Sequence, residues 1–128
     1  MGRITFQTHD FFTPRFVNPD VYISHFILGN IPDPQVVKII QNLLSAMKKG
    51  SRIILNEGVL PEPLTLERSE ERITWIMDME MITTFNARKR LLEDSKKLCR
   101  DAHPGLKLRP ALKPAASIMS IMKLVLEE

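Results

Sequence analysis

The chain of 128 residues has little cysteine and little glycine, and it has no long apolar run. Its single cysteine, Cys99, excludes an internal disulfide framework and favours a reducing compartment. The five glycines stand apart and no Gly-x-Gly occurs, which excludes a dinucleotide-binding or phosphate-cradling turn. No apolar run approaches the roughly 20 residues of a membrane helix, and residues 1–6 lack an apolar signal core. We therefore expect a cytoplasmic protein without a membrane partner.

The charges and the possible metal ligands further limit the classes of partner that the chain can bind. A net charge of +3 is too small to indicate nucleic acid. Residues 58–83 carry six acids and two bases, whereas residues 88–113 carry nine bases and three acids. We interpret both stretches as solvated helix faces; the alternative is a basic patch for an anionic partner, although no aromatic residues interleave with the bases. The three histidines have no metal-ligand spacing with Cys99, so no metal site is predicted, and Cys99 is interpreted as a buried structural thiol.

The apolar pattern predicts an α/β fold in one domain. Five segments have the character of strands: 3–7, 21–28, 52–57, 106–112 and 117–126. The nearly continuous apolar run 21–28 suits a strand that is buried on both faces. The last two segments leave no room for a helix between them, so we expect them to pair antiparallel. The alternation of the earlier strands with helices is typical of a parallel sheet.

Three helices are predicted. The first has Asp33 as its N-cap, Pro34 at the first helical position, apolar residues at helical spacing through Met47, and a stop at Gly50. The second covers residues 67–81 and the third residues 87–101. Ligand sites in open α/β sheets lie beyond the carboxyl ends of the strands. This rule directs attention to three pairs of residues: Asp10 and Phe11, Gly29 and Asn30, and Glu57 and Gly58.

Five segments in register resemble the C-terminal part of the plant- and fungal-type S-adenosylmethionine-dependent O-methyltransferases. They begin with His9-Asp10-Phe11-Phe12 and continue through residues 26–33, 44–53, 56–63 and 77–90. The resemblance is strongest to fungal enzymes of secondary metabolism. It implies a partial doubly wound, Rossmann-like methyltransferase sheet with a closing antiparallel strand pair. Residues 1–128 would form a single truncated C-terminal domain, without the helical dimerisation domain and the Gly-rich cofactor turn.

The resemblance also assigns positions to the family's functional residues. Asp10, with Phe11 beside it, occupies the place of the acid that recognises the adenosine part of S-adenosylmethionine, and His25 stands in a basic cofactor position. The general-base histidine is replaced by Gly29. Of the two acids that flank that histidine, Glu57 is retained and the other has become Lys89.

These replacements bear on the implied reaction, methyl transfer to a hydroxyl of a small aromatic metabolite. A phenol has a pKa near 10, and a positioned base contributes roughly 10²–10⁴-fold to such a reaction. Without that base and without the cofactor turn, we expect the short chain to be inactive. The alternatives are a non-catalytic interaction partner in a fungal metabolite gene cluster, and a fragment of a longer gene product. In the family's sheet, segment 21–28 pairs with a strand that this chain lacks, so we expect self-association or a protein partner at that edge.

Overall fold

The computed structural model describes residues 2–127. It contains a four-stranded sheet with three α-helices, in agreement with the predicted fold class. In chain order the elements are β1 (Val21–His25), a 3₁₀ turn (Leu28–Asn30), α1 (Asp33–Leu44), β2 (Arg52–Glu57), α2 (Arg68–Phe85), α3 (Leu92–Ala102), β3 (Leu106–Leu108) and β4 (Ser120–Leu126). None of the helices described between residues 2 and 127 combines the length and the apolar character needed to cross a bilayer.

The sheet has the strand order β1-β2-β4-β3. β1 and β2 run parallel, and Ile23 pairs with Ile54. β4 runs antiparallel to both β2 and β3, so the predicted closing antiparallel pair is confirmed. Both strands of this pair, β3 and β4, are shorter than predicted. Pro110 and Pro114 lie between them, where the described backbone pairing consists of the Arg109 N–H donating to the Lys123 carbonyl and the isolated bridge from Leu112 to Ile121.

The predicted strand at residues 3–7 is wrong. The described residues there form neither a strand nor a helix, and their side chains are exposed. Apolar alternation alone does not make a strand, because each strand needs a neighbour with which to exchange backbone hydrogen bonds. β1 pairs with β2, and residues 2–9 pair with no strand of the described sheet.

The predicted strand 21–28 is also corrected, both in length and in burial. β1 ends at His25 because the chain turns at Phe26, whose φ is +55°. It is an edge strand, and Ile23 is 74% exposed, so the strand is not buried on both faces. This edge position agrees with the exposed edge that the resemblance implied.

Burial of its apolar residues confirms the predicted periodicity of α1, but both ends of the helix differ from the prediction. Val36, Ile39 and Ile40 are buried, as their spacing predicted. Asp33 is the first helical residue rather than the N-cap, and its carboxylate binds arginine side chains instead. The helix ends at Leu44, and Gly50 takes a φ of +87° in the turn that leads to β2.

The second and third helices are displaced from their predicted bounds. α2 continues to Phe85 and ends at Asn86, which adopts the left-handed conformation that caps many helices. α3 begins at Leu92 because the preceding segment is extended: Arg90 forms a parallel bridge with Val59. The sequence pattern had assigned this segment to the third helix.

The core lies between one face of the sheet and the pair α1 and α3. The sheet contributes Ile53, Leu55, Leu106, Met122 and Leu124, and the helices contribute Val36, Ile39, Ile40, Leu98 and Cys99. Strand side chains alternate between the two faces. The opposite face therefore carries Ile23, Ile54 and Ile121, of which Ile23 and Ile121 are exposed. Within the described residues, helices therefore cover one face of the sheet.

Candidate functional site

Three residues from separate elements meet beyond the carboxyl end of β2. Glu57 ends β2, Gly29 lies in the 3₁₀ turn after β1, and Lys89 follows α2. A Cβ atom on Gly29 would stand 3.0 Å from Lys89 Nζ and 3.5 Å from Glu57 Oε2. The ammonium and the carboxylate therefore adjoin the space into which a side chain at position 29 would point. The fold thus brings together three positions that lie far apart in the sequence.

Glu57 uses its two carboxylate oxygens differently. The residue is only 5% exposed. Its Oε1 accepts hydrogen bonds from the backbone N–H groups of Ile27 and Leu28, both at 2.8 Å. These bonds hold the chain where it leaves β1. Oε2 has no hydrogen-bond partner among the described residues, so it remains available to a ligand or to water.

Lys89 is a buried cation without a hydrogen-bond acceptor. The residue is 3% exposed, and within residues 2–127 its Nζ has no hydrogen-bond partner. Nζ lies over the ring of Phe26 in a cation–π contact, 4.6 Å from the ring centre. Burial lowers the pKa of Lys89 from its usual 10.5. The carboxylates of Glu57, Asp78 and Glu80 oppose this shift in pKa, and the charge of Arg90 adds to it.

The turn from Phe26 to Gly29, called here the Phe26–Gly29 turn, has an unusual backbone. Phe26 adopts a φ of +55°, which is uncommon for a bulky residue. Its N–H donates to the carbonyl of Asn56 at 3.0 Å, and its carbonyl accepts from Asn30 Nδ2 at 3.4 Å. The side-chain oxygens of Asn30 and Asn56 are buried and have no hydrogen-bond donor in the part of the chain that the structure describes. Strained backbone of this kind clusters at functional sites.

Arg90 fixes the position of this turn, and the sequence reasoning missed it. The residue is 7% exposed. Its guanidinium donates to the carbonyls of Leu28 and Ile31 at 2.7 and 2.8 Å, and its Nη2 and Nε both donate to Asp33 Oδ1, at 2.7 and 2.9 Å. The signal available in the sequence was its place next to Lys89 in the matched segment. Its partners lie more than 50 positions away, so local spacing could not reveal the role.

A small cavity of about 30 Å³ adjoins the site. Its lining includes Glu57, Arg90 and Ser95 as well as apolar side chains such as Leu98 and Cys99, but not Lys89. The volume is about that of one water molecule. Cys99 is buried as predicted, and burial raises the pKa of its thiol to about 11. A thiol in this environment is a poor nucleophile, because the thiolate is the reactive form.

The positions that the resemblance linked to the cofactor do not line this cavity. Phe11 and His25 line one open groove of about 570 Å³ along β1, and both are exposed. Asp10 is exposed as well, and its Oδ1 accepts the N–H of Phe12 in its own loop. The groove is wide enough for a small molecule, but these residues present no buried polar group to one. The residues present therefore do not form a complete cradle for a nucleoside cofactor, and we derive no catalytic step through it.

A family model described as an O-methyltransferase domain matches residues 1–103. The chain belongs to the O-methyltransferase family. Among curated proteins, it is 38% identical over 123 residues to the grayanic acid biosynthesis cluster O-methyltransferase of Cladonia grayi, covering 96% of this chain and 27% of that protein. It is 40% identical over 127 residues to the O-methyltransferase pgmB of Aspergillus terreus, covering 98% of this chain and 29% of that one. The chain thus spans less than a third of the length of these two relatives.

A solved structure of LepI in complex with S-adenosylmethionine has the same fold over this region. The two chains are 26% identical with a TM-score of 0.80, over 93% of this chain and 29% of LepI. S-adenosylmethionine is accordingly the cofactor that the resemblance supports for the family. No group of three or more His, Cys, Asp or Glu side chains suited to a metal ion occurs within residues 2–127.

Proposed function

We propose that this chain is the acceptor-side part of an S-adenosylmethionine-dependent O-methyltransferase fold, and that the 128 residues do not by themselves transfer methyl groups. The supporting observation is the absence of a side chain at Gly29, where Lys89 Nζ lies 3.0 Å and Glu57 Oε2 3.5 Å from the position that a Cβ atom would take. The substrate class proposed for the whole protein is a small aromatic metabolite with a free hydroxyl.

The physical argument concerns the proton on that hydroxyl. A neutral phenol attacks a methyl donor poorly, and a positioned base raises the rate by roughly 10²–10⁴-fold. Gly29 supplies no such base, and Lys89 places a cation where the family has an acid. Holding donor and acceptor in line is a second large contribution, and Asp10, Phe11 and His25 are exposed residues without a Gly-x-Gly turn beside them.

The test uses the purified 128-residue chain, S-adenosylmethionine labelled in its methyl group, and a panel of hydroxylated aromatics. We expect no labelled product above the protein-free control. Calorimetric titration with S-adenosylmethionine should show no micromolar binding. Turnover of any acceptor by the purified chain would overturn the proposal. Binding without turnover would contradict the expected loss of the cofactor side and would leave the absent base at Gly29 as the cause of inactivity.

A non-catalytic interaction role is the second candidate function, and β1 supports it. β1 pairs only with β2 in the described sheet, and its other edge is open. The strand Val21–His25 contains none of the lysines, acids or prolines that block pairing between sheet edges. Ile23 at its centre is 74% exposed. We propose that two copies pair antiparallel through β1, with Ile23 near the two-fold axis.

Sedimentation velocity over a range of protein concentrations tests this pairing. We expect a reversible dimer for the original chain and a monomer for Ile23→Lys. Ile118→Lys is the matched control, since Ile118 is 54% exposed and lies outside the strands. Far-UV circular dichroism verifies that both variants remain folded. A monomer at all concentrations, or a dimer that Ile23→Lys leaves intact, would exclude this interface.

A further inference from the structure

Segment 3–7 has the pattern of a strand but no strand beside it. Ile4 and Phe6 are apolar and alternate with polar residues, and the segment contains neither glycine nor proline. Ile4 is 77% exposed and Phe6 is 93% exposed. No backbone hydrogen bond involves this segment in the part of the chain that the structure describes. The segment therefore carries backbone groups and apolar side chains that a neighbouring strand could cover.

The free edge of β1 offers what segment 3–7 lacks. β1 pairs with β2 on one side, and in the described sheet no strand lies on its other side. The open groove of about 570 Å³ runs along this edge, and its lining includes the buried side chains of Tyr22, Ile39 and Ile53. The groove is large enough for the side chains of an isoleucine and a phenylalanine. An added strand would thus find hydrogen-bond partners on β1 and apolar surface in the groove.

The loop between segment 3–7 and β1 sets the direction from which the segment would approach. Near the end of α1, Asn42 Nδ2 donates to the carbonyl of Phe11 at 3.2 Å, and the Asn42 carbonyl accepts from the Arg15 N–H at 3.5 Å. α1 ends at the side of the sheet where β1 begins, because α1 leads into β2 and the first residues of β1 and β2 pair. The loop is therefore anchored at Phe11 near the start of β1. A strand formed by segment 3–7 along β1 would run antiparallel to it.

One antiparallel register agrees with the burial pattern of β1. Tyr22 is buried on the α1 side of the sheet, whereas Ile23 is exposed on the other face. With Phe6 opposite Tyr22, both Phe6 and Ile4 lie on the α1 side and enter the groove, and Thr5 lies opposite Ile23. A register shifted by one residue would place both apolar side chains on the exposed face. The apolar alternation of the segment therefore specifies the pairing.

We propose that segment 3–7 adds as an antiparallel strand to β1 of its own chain, with Phe6 in the groove, and so competes with the pairing of two copies through β1. The inference rests on the second candidate function, because it assigns a regulator to the same edge. The described arrangement is the open form, in which β1 is available to a second copy. In the closed form the sheet gains a strand and this edge is covered. The loop favours the segment of the same chain, because it keeps that segment close to β1 at any protein concentration.

Disulfide trapping tests the closed form. Thr5→Cys combined with Ile23→Cys puts thiols at opposite positions of the proposed pair, where Cα atoms about 4.5–5.5 Å apart suit a disulfide. Thr5→Cys combined with Asn18→Cys is the matched control, because Asn18 is exposed in the loop and its shorter tether makes random encounters at least as frequent. Cys99 is buried and does not compete. We expect the bond between positions 5 and 23 to form within one chain at least about tenfold faster than the bond between positions 5 and 18.

Sedimentation velocity tests the competition. Phe6→Lys removes the side chain that fills the groove. The dissociation constant of the β1 dimer should then fall by at least about fourfold, the effect expected when half of the chains are closed and both partners must open. Phe16→Lys is the matched control, since Phe16 is 85% exposed and does not line the groove. Both variants add one positive charge, so a difference between them reports the groove rather than the net charge.

Equal rates of formation for the two disulfides would overturn the proposal. A bond between positions 5 and 23 that joins two chains would also overturn it and would assign the added strand to a second copy. An unchanged dissociation constant in Phe6→Lys would exclude the competition. If neither the original chain nor Phe6→Lys dimerises, the pairing proposed for β1 fails, whereas the disulfide rates still decide whether segment 3–7 closes on β1.

Discussion

Lys89 and Arg90 are neighbours in the sequence, and the fold uses them in opposite ways. Arg90 meets two carbonyls and a carboxylate. Within residues 2–127, Lys89 Nζ has no such partner. The planar guanidinium suits fixed, multiple hydrogen bonds, whereas the ammonium is a compact charge that can bind a ligand. At the scale of single residues, one cation therefore builds the site and the other remains available within it.

Arg90→Met should destabilise the chain strongly. The variant removes both donors to Asp33 Oδ1 and leaves the carbonyls of Leu28 and Ile31 without these donors. The pair is only partly buried, because the Asp33 side chain is 34% exposed, so we expect a loss of about 2–3 kcal/mol of unfolding free energy. Urea denaturation measures the change. Arg88→Met is the control, since Arg88 is half-exposed and should cost less than about 1 kcal/mol. Equal losses in both variants would contradict the role of Arg90.

Asp33 should make the stability sensitive to acid. Burial raises its pKa, but the hydrogen bonds and charges of Arg90 and Arg88 outweigh this effect, so the pKa lies below the usual 3.8. A carboxyl whose folded pKa is depressed stabilises the fold above its unfolded pKa and loses that contribution as the pH falls through the folded value. We expect the unfolding free energy to decrease below about pH 4. Asp33→Asn should flatten this decrease in urea titrations at several pH values.

Asp101→Asn provides the comparison for the pH experiment. Asp101 is exposed on α3 and pairs only with Lys97 among its described neighbours. Its variant should retain the acid-dependent loss of the original chain. If Asp33→Asn showed the same slope as Asp101→Asn, the acid sensitivity would have to be assigned to other carboxyl groups.

At the scale of elements, α2 differs from α1. α1 buries Val36, Ile39 and Ile40 against the sheet. In the 18 residues of α2, Met81 is the one buried side chain, while Ile76 and Ile82 on the same helix are more than half exposed. Most helical stability in proteins comes from packing of an apolar face, so α2 should open more easily than α1.

Hydrogen exchange measures this difference directly. We expect the amides in the middle of α2, residues 73–78, to exchange at least about tenfold faster than those of Ile39 and Ile40 in α1. The amides of Ile53 and Leu55 in β2 provide the reference for global unfolding, since these residues are 0% and 4% exposed. Equal protection of α1 and α2 would show that α2 is held by more than Met81.

The sequence predicts those elements whose signals are local. The bounds of β2 agree with the prediction, because Arg52–Glu57 is a short apolar run between a glycine turn and a proline-rich loop. The start of α3 was wrong because residues 86–91 are drawn into the site by long-range partners such as Asp33 and Val59. Gly29 and Glu57 were found both from the rule on the carboxyl ends of strands and from the family resemblance, and Lys89 from the resemblance alone. The contact of Lys89 with Phe26 and the role of Arg90 depend on tertiary structure, which no local pattern reports.

At the scale of the whole molecule, the described chain has a sheet covered by helices on one side. Its helix-facing surface forms the core, and its other face leaves Ile23 and Ile121 exposed. The same face carries the cations Arg52, Lys107 and Lys123, which are exposed. Apolar side chains bordered by charge are typical of an interaction surface.

The thermal midpoint of the original chain should therefore depend on protein concentration. A dimer that dissociates on unfolding is stabilised by mass action, so the midpoint should rise as the concentration is increased. Calorimetry over a hundredfold range of concentration measures the effect. Ile23→Lys should show a constant midpoint, and Ile118→Lys should behave like the original chain. A midpoint that is constant for all three chains would exclude coupling between association and stability.

The exposed face of the sheet also affects how dye-binding assays on this polypeptide are read. Dyes such as ANS fluoresce when they bind exposed apolar surface, and their signal is usually taken as a sign of unfolding or of a molten globule. Here Ile23 and Ile121 would offer such a patch in the native state. A bright dye reading at room temperature would then report intact architecture rather than damage, and screening buffers by dye brightness would rank them incorrectly.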